Sequence, residues 1–165
     1  MIQGITETAI NANLSTEDNR IDTSVASTQI RYLFKFTNDM KGNVVYVYPA
    51  IASFYERYTH FVLTWIAPAF ASSMFLGQIT DNMLPAGQWT YEVYEVSWIG
   101  TVTVSSGNAP VTETDVLSPA ANDKGVVQGI VTKGILNLTE KDGTQQVQYT
   151  QRQAPDTDNY IYYGQ

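Results

Sequence analysis

The chain has no cysteine among its 165 residues. That excludes disulfide scaffolds, thiol catalysis and thiolate-bound zinc or iron–sulfur centres, and leaves the redox compartment open. It has a single histidine, His60, so a catalytic triad or an imidazole-rich metal site would have to be built around that one ring. Basic residues are scarce: nine Lys and Arg face sixteen Asp and Glu, giving a net charge of −7. Such a balance disfavours nonspecific attraction to nucleic acid or anionic lipid, so neither is expected as a direct partner. Long apolar runs are missing too. The longest uncharged stretch, residues 61–80, is interrupted by Thr64, Pro68, Ser72, Ser73 and Gln78, whereas a membrane helix needs about twenty mainly apolar residues. The first residues carry no basic region followed by an apolar block, so no secretory leader is expected. No phosphate-binding glycine signature is present, because Gly129 and Gly134 sit inside a strand pattern and precede no helix. No cofactor is expected.

What the chain does have is aromatic and β-branched residues at a period of two. In the stretch 85–98, Pro85 and Gly87 set a turn, after which Trp89, Tyr91 and Val93 fall on one face and Thr90, Glu92 and Tyr94 on the other. Such residues fill a half-buried pleated surface, and this stretch is expected as the central strand. Ile30, Tyr32, Phe34 and Phe36 alternate in the same way with Arg31, Lys35 and Thr37, with Leu33 alone breaking the polar face. A hairpin loop at 39–43 leads to a strand over 44–48, and Thr59, Phe61, Leu63 and Trp65 mark a third alternating run. Residues 50–57 show no clear period and admit a helical turn. A short strand is expected near 74–80, and residues 101–104 are read as a brief continuation of the sheet. A surface loop is expected over 105–124, a long strand over 126–138 with bulges at its glycines, a hairpin at 141–144 with a return strand over 145–149, and a closing strand over 160–163.

No amphipathic helix emerges. Eight or nine strands with turn signals every 8–15 residues predict an all-β fold, an antiparallel β-sandwich of immunoglobulin-like or jelly-roll-like kind. Residues 30–165 form its single β-sandwich domain. Residues 1–29 are polar and rich in Thr, Asn and Ser. They are expected either as a disordered or loosely attached terminus or as an extended N-terminal arm that orders on contact with a neighbouring subunit, with Ile2, Ile5, Ile10 and Leu14 as its anchors.

The residues that could carry chemistry do not converge in sequence. His60 sits mid-strand among apolar neighbours and reads as structural. Glu92 and Glu95 are an odd number apart and therefore point to opposite faces, so they cannot form a facing carboxylate pair. Glu92 is expected in solvent and Glu95 near a Lys or Arg of a neighbour. Asp115, Asp123, Asp156 and Asp158 match no calcium-loop spacing and read as solvated. No catalytic or metal-binding residue is assigned. The one candidate partner interface is the apolar segment holding Trp65, Ile66, Phe70, Met74 and Phe75: either Trp65, Phe70, Met74 and Phe75 cap the core, or the segment is an exposed loop that docks onto a partner, since large apolar patches on soluble proteins mark interfaces.

Several stretches together resemble a known class: residues 31–42 (RYLFKFTNDMKG), residues 84–95 (LPAGQWTYEVYE), Val127 to Val131, Gly134-Ile-Leu, and the closing Tyr160-Ile-Tyr-Tyr-Gly. They are similar to small β-rich virion structural proteins of tailed phages, particularly crAss-like and related ones, over about residues 30–165. The resemblance implies an auxiliary capsid (decoration) protein without enzymatic activity, or alternatively a neck, tail or head-fibre component. It implies a location in the virion, other virion proteins as partners, the major capsid protein first among them, and self-association. Two rivals of other classes are a carbohydrate-binding β-sandwich module, which needs a flat aromatic platform, and a hydrolase, which needs two carboxylates converging in a cleft.

Overall fold

The computed structural model describes residues 1–55, 57–117 and 123–141. Nine strands run through them: β1 (Ile2–Ile5), β2 (Ile10–Leu14), β3 (Ile30–Asn38), β4 (Val44–Val47), β5 (Ala50–Phe54), β6 (Thr59–Trp65), β7 (Gln78–Ile79), β8 (Gly87–Ser97) and β9 (Val126–Thr139). They form two sheets. One has the order β1-β9-β8-β3-β4, and the other has the order β2-β6-β5 with β7 beside β6. The fold is an all-β sandwich, antiparallel except where β1 lies parallel to β9 and β7 parallel to β6.

The alternation expected over Ile30–Phe36 and Trp89–Val93 becomes one face of the larger sheet. Phe34 stands opposite Val93 and Phe36 opposite Tyr91. The smaller sheet answers with Ile10, Leu14, Phe61 and Leu63, all buried. Phe61 is the bridge: its ring meets Tyr32 edge-on at 5.3 Å and Phe34 at 5.1 Å. Strand β9 slips against β8 between Val93 and Tyr94 and again between Glu95 and Val96, so the bulges flank Gly129, whereas Gly134 stays in register opposite Tyr91 and its missing side chain makes room for that ring.

The N-terminal 29 residues, expected as an arm reaching to a neighbour, are instead laid into this domain. Ile2 pairs with Leu136 and Ile10 with Leu63, so β1 and β2 each extend one sheet. Ile2, Ile10 and Leu14 anchor the chain's own core, and only Ile5, 46 % exposed, is left outward. The spacing of Ile10, Ala12 and Leu14 supplies the buried-exposed alternation that pays for burying a polar strand. Residues 15–29 then run as a strap with two 3-10 turns, at Glu17–Asn19 and Ser27–Gln29.

Other expectations shift in detail. Residues 50–54 are strand β5 rather than a helical turn. The region 74–80 divides into a 3-10 turn, Met74–Leu76, and the two residues of β7. Residues 101–104 form no strand. The loop that follows β8 is not a bare surface excursion: it folds across the outer face of the larger sheet. Leu33, whose apolar character breaks the polar face of β3, is buried there with Tyr48, Tyr94, Val96, Trp98 and Ala109. The strands expected over 145–149 and 160–163 lie outside the described residues.

Candidate functional site

Segment 65–76 was singled out by its apolar composition, and the structure splits it. Trp65 caps the main core. Its indole Nε1 is buried without an acceptor among the described residues. Ile66 is half-buried and donates its N–H to the Ile79 carbonyl at 2.9 Å, which fixes the exit from β6. Met74 and Phe75 turn back onto the outer cluster, where Phe75 stacks on Tyr48 with ring centroids 6.2 Å apart. Between them, Ala67 to Ser72 stand in solvent as an uncharged loop with Phe70, 70 % exposed, at its crest. The loop opens on a turn, where Pro68 favours the bend and the Phe70 N–H closes on the Ala67 carbonyl at 3.0 Å, and just past its far end the Ser73 N–H donates to Gln78 Oε1 at 3.1 Å.

The return from this segment depends on Gly77. Its φ of +67° is left-handed, and an added Cβ would lie 2.9 Å from the Tyr48 carbonyl oxygen. Both the conformation and the close approach demand glycine. Gly77→Ala is therefore expected to cost about 1–3 kcal/mol. Urea unfolding, with loss of near-ultraviolet signal from the Tyr48–Phe75 stack, checks it.

A second exposed tip lies at the other end of β6. The β5–β6 turn closes with the Tyr55 N–H on the Tyr58 carbonyl at 2.9 Å. This stacks the two phenol rings at 4.6 Å, and both remain exposed beside Phe54. Sequence reading missed this tip because its aromatic residues carry no regular period; only hairpin closure brings them together. Thr59 and Trp65 are the ends of β6, and at about 3.3 Å per residue the strand between the two tips is about 20 Å long.

The polar candidates are structural in their contacts. His60 Nε2 lies 3.2 Å from Asn11 Oδ1 across the β2–β6 pair. Glu92 and Glu95 do face opposite ways. Glu92 is half-buried rather than in solvent, opposite Lys35 at 3.4 Å and accepting from Tyr94 at 3.0 Å. Glu95 is fully buried, and in place of Lys or Arg it accepts the backbone N–H groups of Ile21 and Asp22 at 3.1 and 2.8 Å, tying the strap down. Asp115 accepts the Val111 and Thr112 N–H groups, which hold its carboxyl below the usual range. Asp156 and Asp158 lie outside the described residues. Among the described residues no group of three or more His, Asp or Glu is placed to hold a metal.

Among the described residues, clefts on the surface include three that bear on a site. Two, of about 290 and 310 Å³, share Glu7 and Asp81, and the larger is walled by Trp65, Ala67 and Pro68. Glu7, Asp81 and Glu140 all line the smaller of these two, carboxylates too far apart in the chain for any sequence spacing to group them. Glu7 is already engaged by Lys141 at 2.9 Å. The third, of about 250 Å³, lies where Tyr48, Ile51, Phe75, Leu76 and Val104 meet Arg31.

No family model, curated protein or solved structure matches this chain.

Proposed function

We propose that this chain is a non-enzymatic virion structural protein, an auxiliary capsid or decoration protein that sits on the head shell and holds neighbouring capsid subunits together. The observation that carries the reading is the pair of exposed tips at opposite ends of β6, the Phe70 loop and the Tyr55–Tyr58 turn. A protein that bridges two neighbours needs two separated contacts on a body that does not bend between them. A strand paired on both sides supplies that body. Aromatic anchors dominate interface energetics, and two modest contacts made together give an avidity neither gives alone. A neck, tail or head-fibre position would use the same surfaces.

The test uses purified shells lacking this protein. Phe70→Ser and Tyr58→Ser are each expected to weaken shell binding at least about tenfold, and the double variant to abolish it. Unfolding free energy should move by no more than about 0.5 kcal/mol for Phe70→Ser at its exposed crest, and by no more than about 1.5 kcal/mol for Tyr58→Ser, which also loses the stack on Tyr55. Undiminished binding by the double variant sinks the bridging reading. A carbohydrate-binding module is a second reading, favoured by the exposed Tyr55–Tyr58 pair. Glycan-array binding that Tyr58→Ala removes would support it over the first.

A further inference from the structure

The third cleft joins a cation to an apolar wall, and among the described residues the cation has no counter-charge. Arg31 Nη1 donates to the Thr28 and Ile30 carbonyls at 3.1 and 2.6 Å, which fixes the guanidinium plane. No carboxylate lies within ion-pair distance of it among the described residues. Its Nε and Nη2 groups find no protein acceptor there either. Partial burial pushes this guanidinium below its ordinary value, the cost of a cation held against apolar surface without a partner. Among the described residues Arg31 has no acidic partner, and in a chain carrying a net charge of −7 such a cation suits an anion supplied by a partner.

The rest of the cleft says what that anion is attached to. The Tyr48–Phe75 stack, Ile51 and Val104 form its wall, and Leu76 stands at its rim, 65 % exposed. At about 250 Å³ the space falls below the range of about 300–1,000 Å³ usual for small-molecule pockets. It suits one anchoring side chain. A free small ligand would leave Leu76 wet, whereas a polypeptide crossing the rim would cover it.

We propose that this cleft captures a segment of a partner protein in which a carboxylate, at a chain end or on an acidic side chain, adjoins an apolar residue: the carboxylate docks on Arg31 and the apolar side chain enters between Ile51, Phe75 and Val104. Arginine's planar fork suits bidentate capture of a carboxylate. The inference rests on the bridging reading only for the kind of partner. The cleft is lined by none of the residues of the Phe70 crest or the Tyr55–Tyr58 turn.

The experiment titrates the full, isotope-labelled chain with N-acetyl-Ala-Leu bearing a free carboxylate, with the same dipeptide as its C-terminal amide, and with hexanoate. The free acid is expected to shift the amide signals of Ile51, Leu76 and Val104 saturably, and the amide to bind at least about tenfold more weakly. Arg31→Gln should erase that difference. Should Arg31→Gln fail to fold, Leu76→Ser is the second variant: it should weaken acid and amide alike while keeping their ratio. Equal binding of acid and amide, no saturable shift at these residues, or unchanged binding by Leu76→Ser overturns the proposal. Hexanoate binding as tightly as the dipeptide also overturns it, by assigning the cleft to free carboxylic acids. Phe70→Ser should leave this titration unchanged, so failure of shell bridging and failure of the cleft are read separately.

Discussion

Replacing Phe61 with alanine is expected to lower the unfolding free energy by about 3–5 kcal/mol. Phe61 is 1 % exposed and projects from the smaller sheet onto Tyr32 and Phe34 of the larger one. Its loss removes the burial of a whole aromatic side chain and two edge-on ring contacts, the latter alone worth about 0.5–1.5 kcal/mol each. It also leaves a void between two sheets that cannot close on it, because Phe34 and Tyr32 are held in register by β8 on the far side. The cost should therefore sit toward the upper end of the range. Urea unfolding followed by tyrosine fluorescence measures it. Met40→Ala, at a residue 94 % exposed in the β3–β4 turn, serves as the control and should shift stability by less than about 0.5 kcal/mol. A Phe61→Ala loss below about 1.5 kcal/mol would mean that the two sheets do not depend on this contact.

The second large effect lies on the opposite face of the larger sheet. There Glu113, carried by the loop after β8, accepts from Lys35 at 2.7 Å and from the Tyr46 hydroxyl. Lys35 stands between Tyr46 and Glu92 in the cross-strand register, so Glu113 fastens the loop to the middle of the sheet. Glu113→Gln keeps the shape but removes the charge, and should cost about 1–3 kcal/mol at neutral pH. Desolvation alone would raise the Glu113 carboxyl; the hydrogen bonds from Lys35 and Tyr46 and the lysine charge outweigh it and hold the group below its ordinary 4.5. A carboxyl depressed in the folded state adds stability above its unfolded value and loses it as pH falls through the folded one. The difference between native protein and variant should thus be level through neutral pH and shrink below about pH 4.5. Lys35 is raised, chiefly by its hydrogen bond to Glu113, so its share is present below its ordinary 10.5 and is lost as pH rises past it. Burial and the hydrogen bond to Glu113 push the Tyr46 phenol up to about 12, which adds an alkaline limb between about pH 10 and 12. Urea unfolding from pH 3 to pH 9 checks the acid side. A difference that grows on acidification would refute the clasp.

Strands whose side chains alternate over five or more residues were legible from the chain alone. Ile30 to Phe36, Thr59 to Trp65 and Trp89 to Val93 each bury every second residue, and that period depends only on local backbone geometry. The apolar segment 65–76 was legible as unusual but not as divided. Whether Phe70 or Phe75 faces water is decided by Gly77, whose left-handed turn carries Phe75 back onto Tyr48. The N-terminal strands were obscured by composition. Ile10-Asn-Ala-Asn-Leu14 looks polar in sum, and its alternation has meaning only beside β6.

Sequence by itself determined the fold class and the faces of the long strands, together with the opposed directions of Glu92 and Glu95, because these follow from a two-residue period. It determined the acidic balance and the absence of thiols, because these are counts. Only the tertiary structure decided that residues 2–14 belong to the sheets and that Leu33 is covered by the loop after β8. It alone brought Arg31 to one cleft with Phe75 and Val104, and set two aromatic tips at opposite ends of β6. Those arrangements depend on contacts between residues far apart in the chain. Their gain in burial is realised only when loops and sheets have closed on one another, and no local period records it.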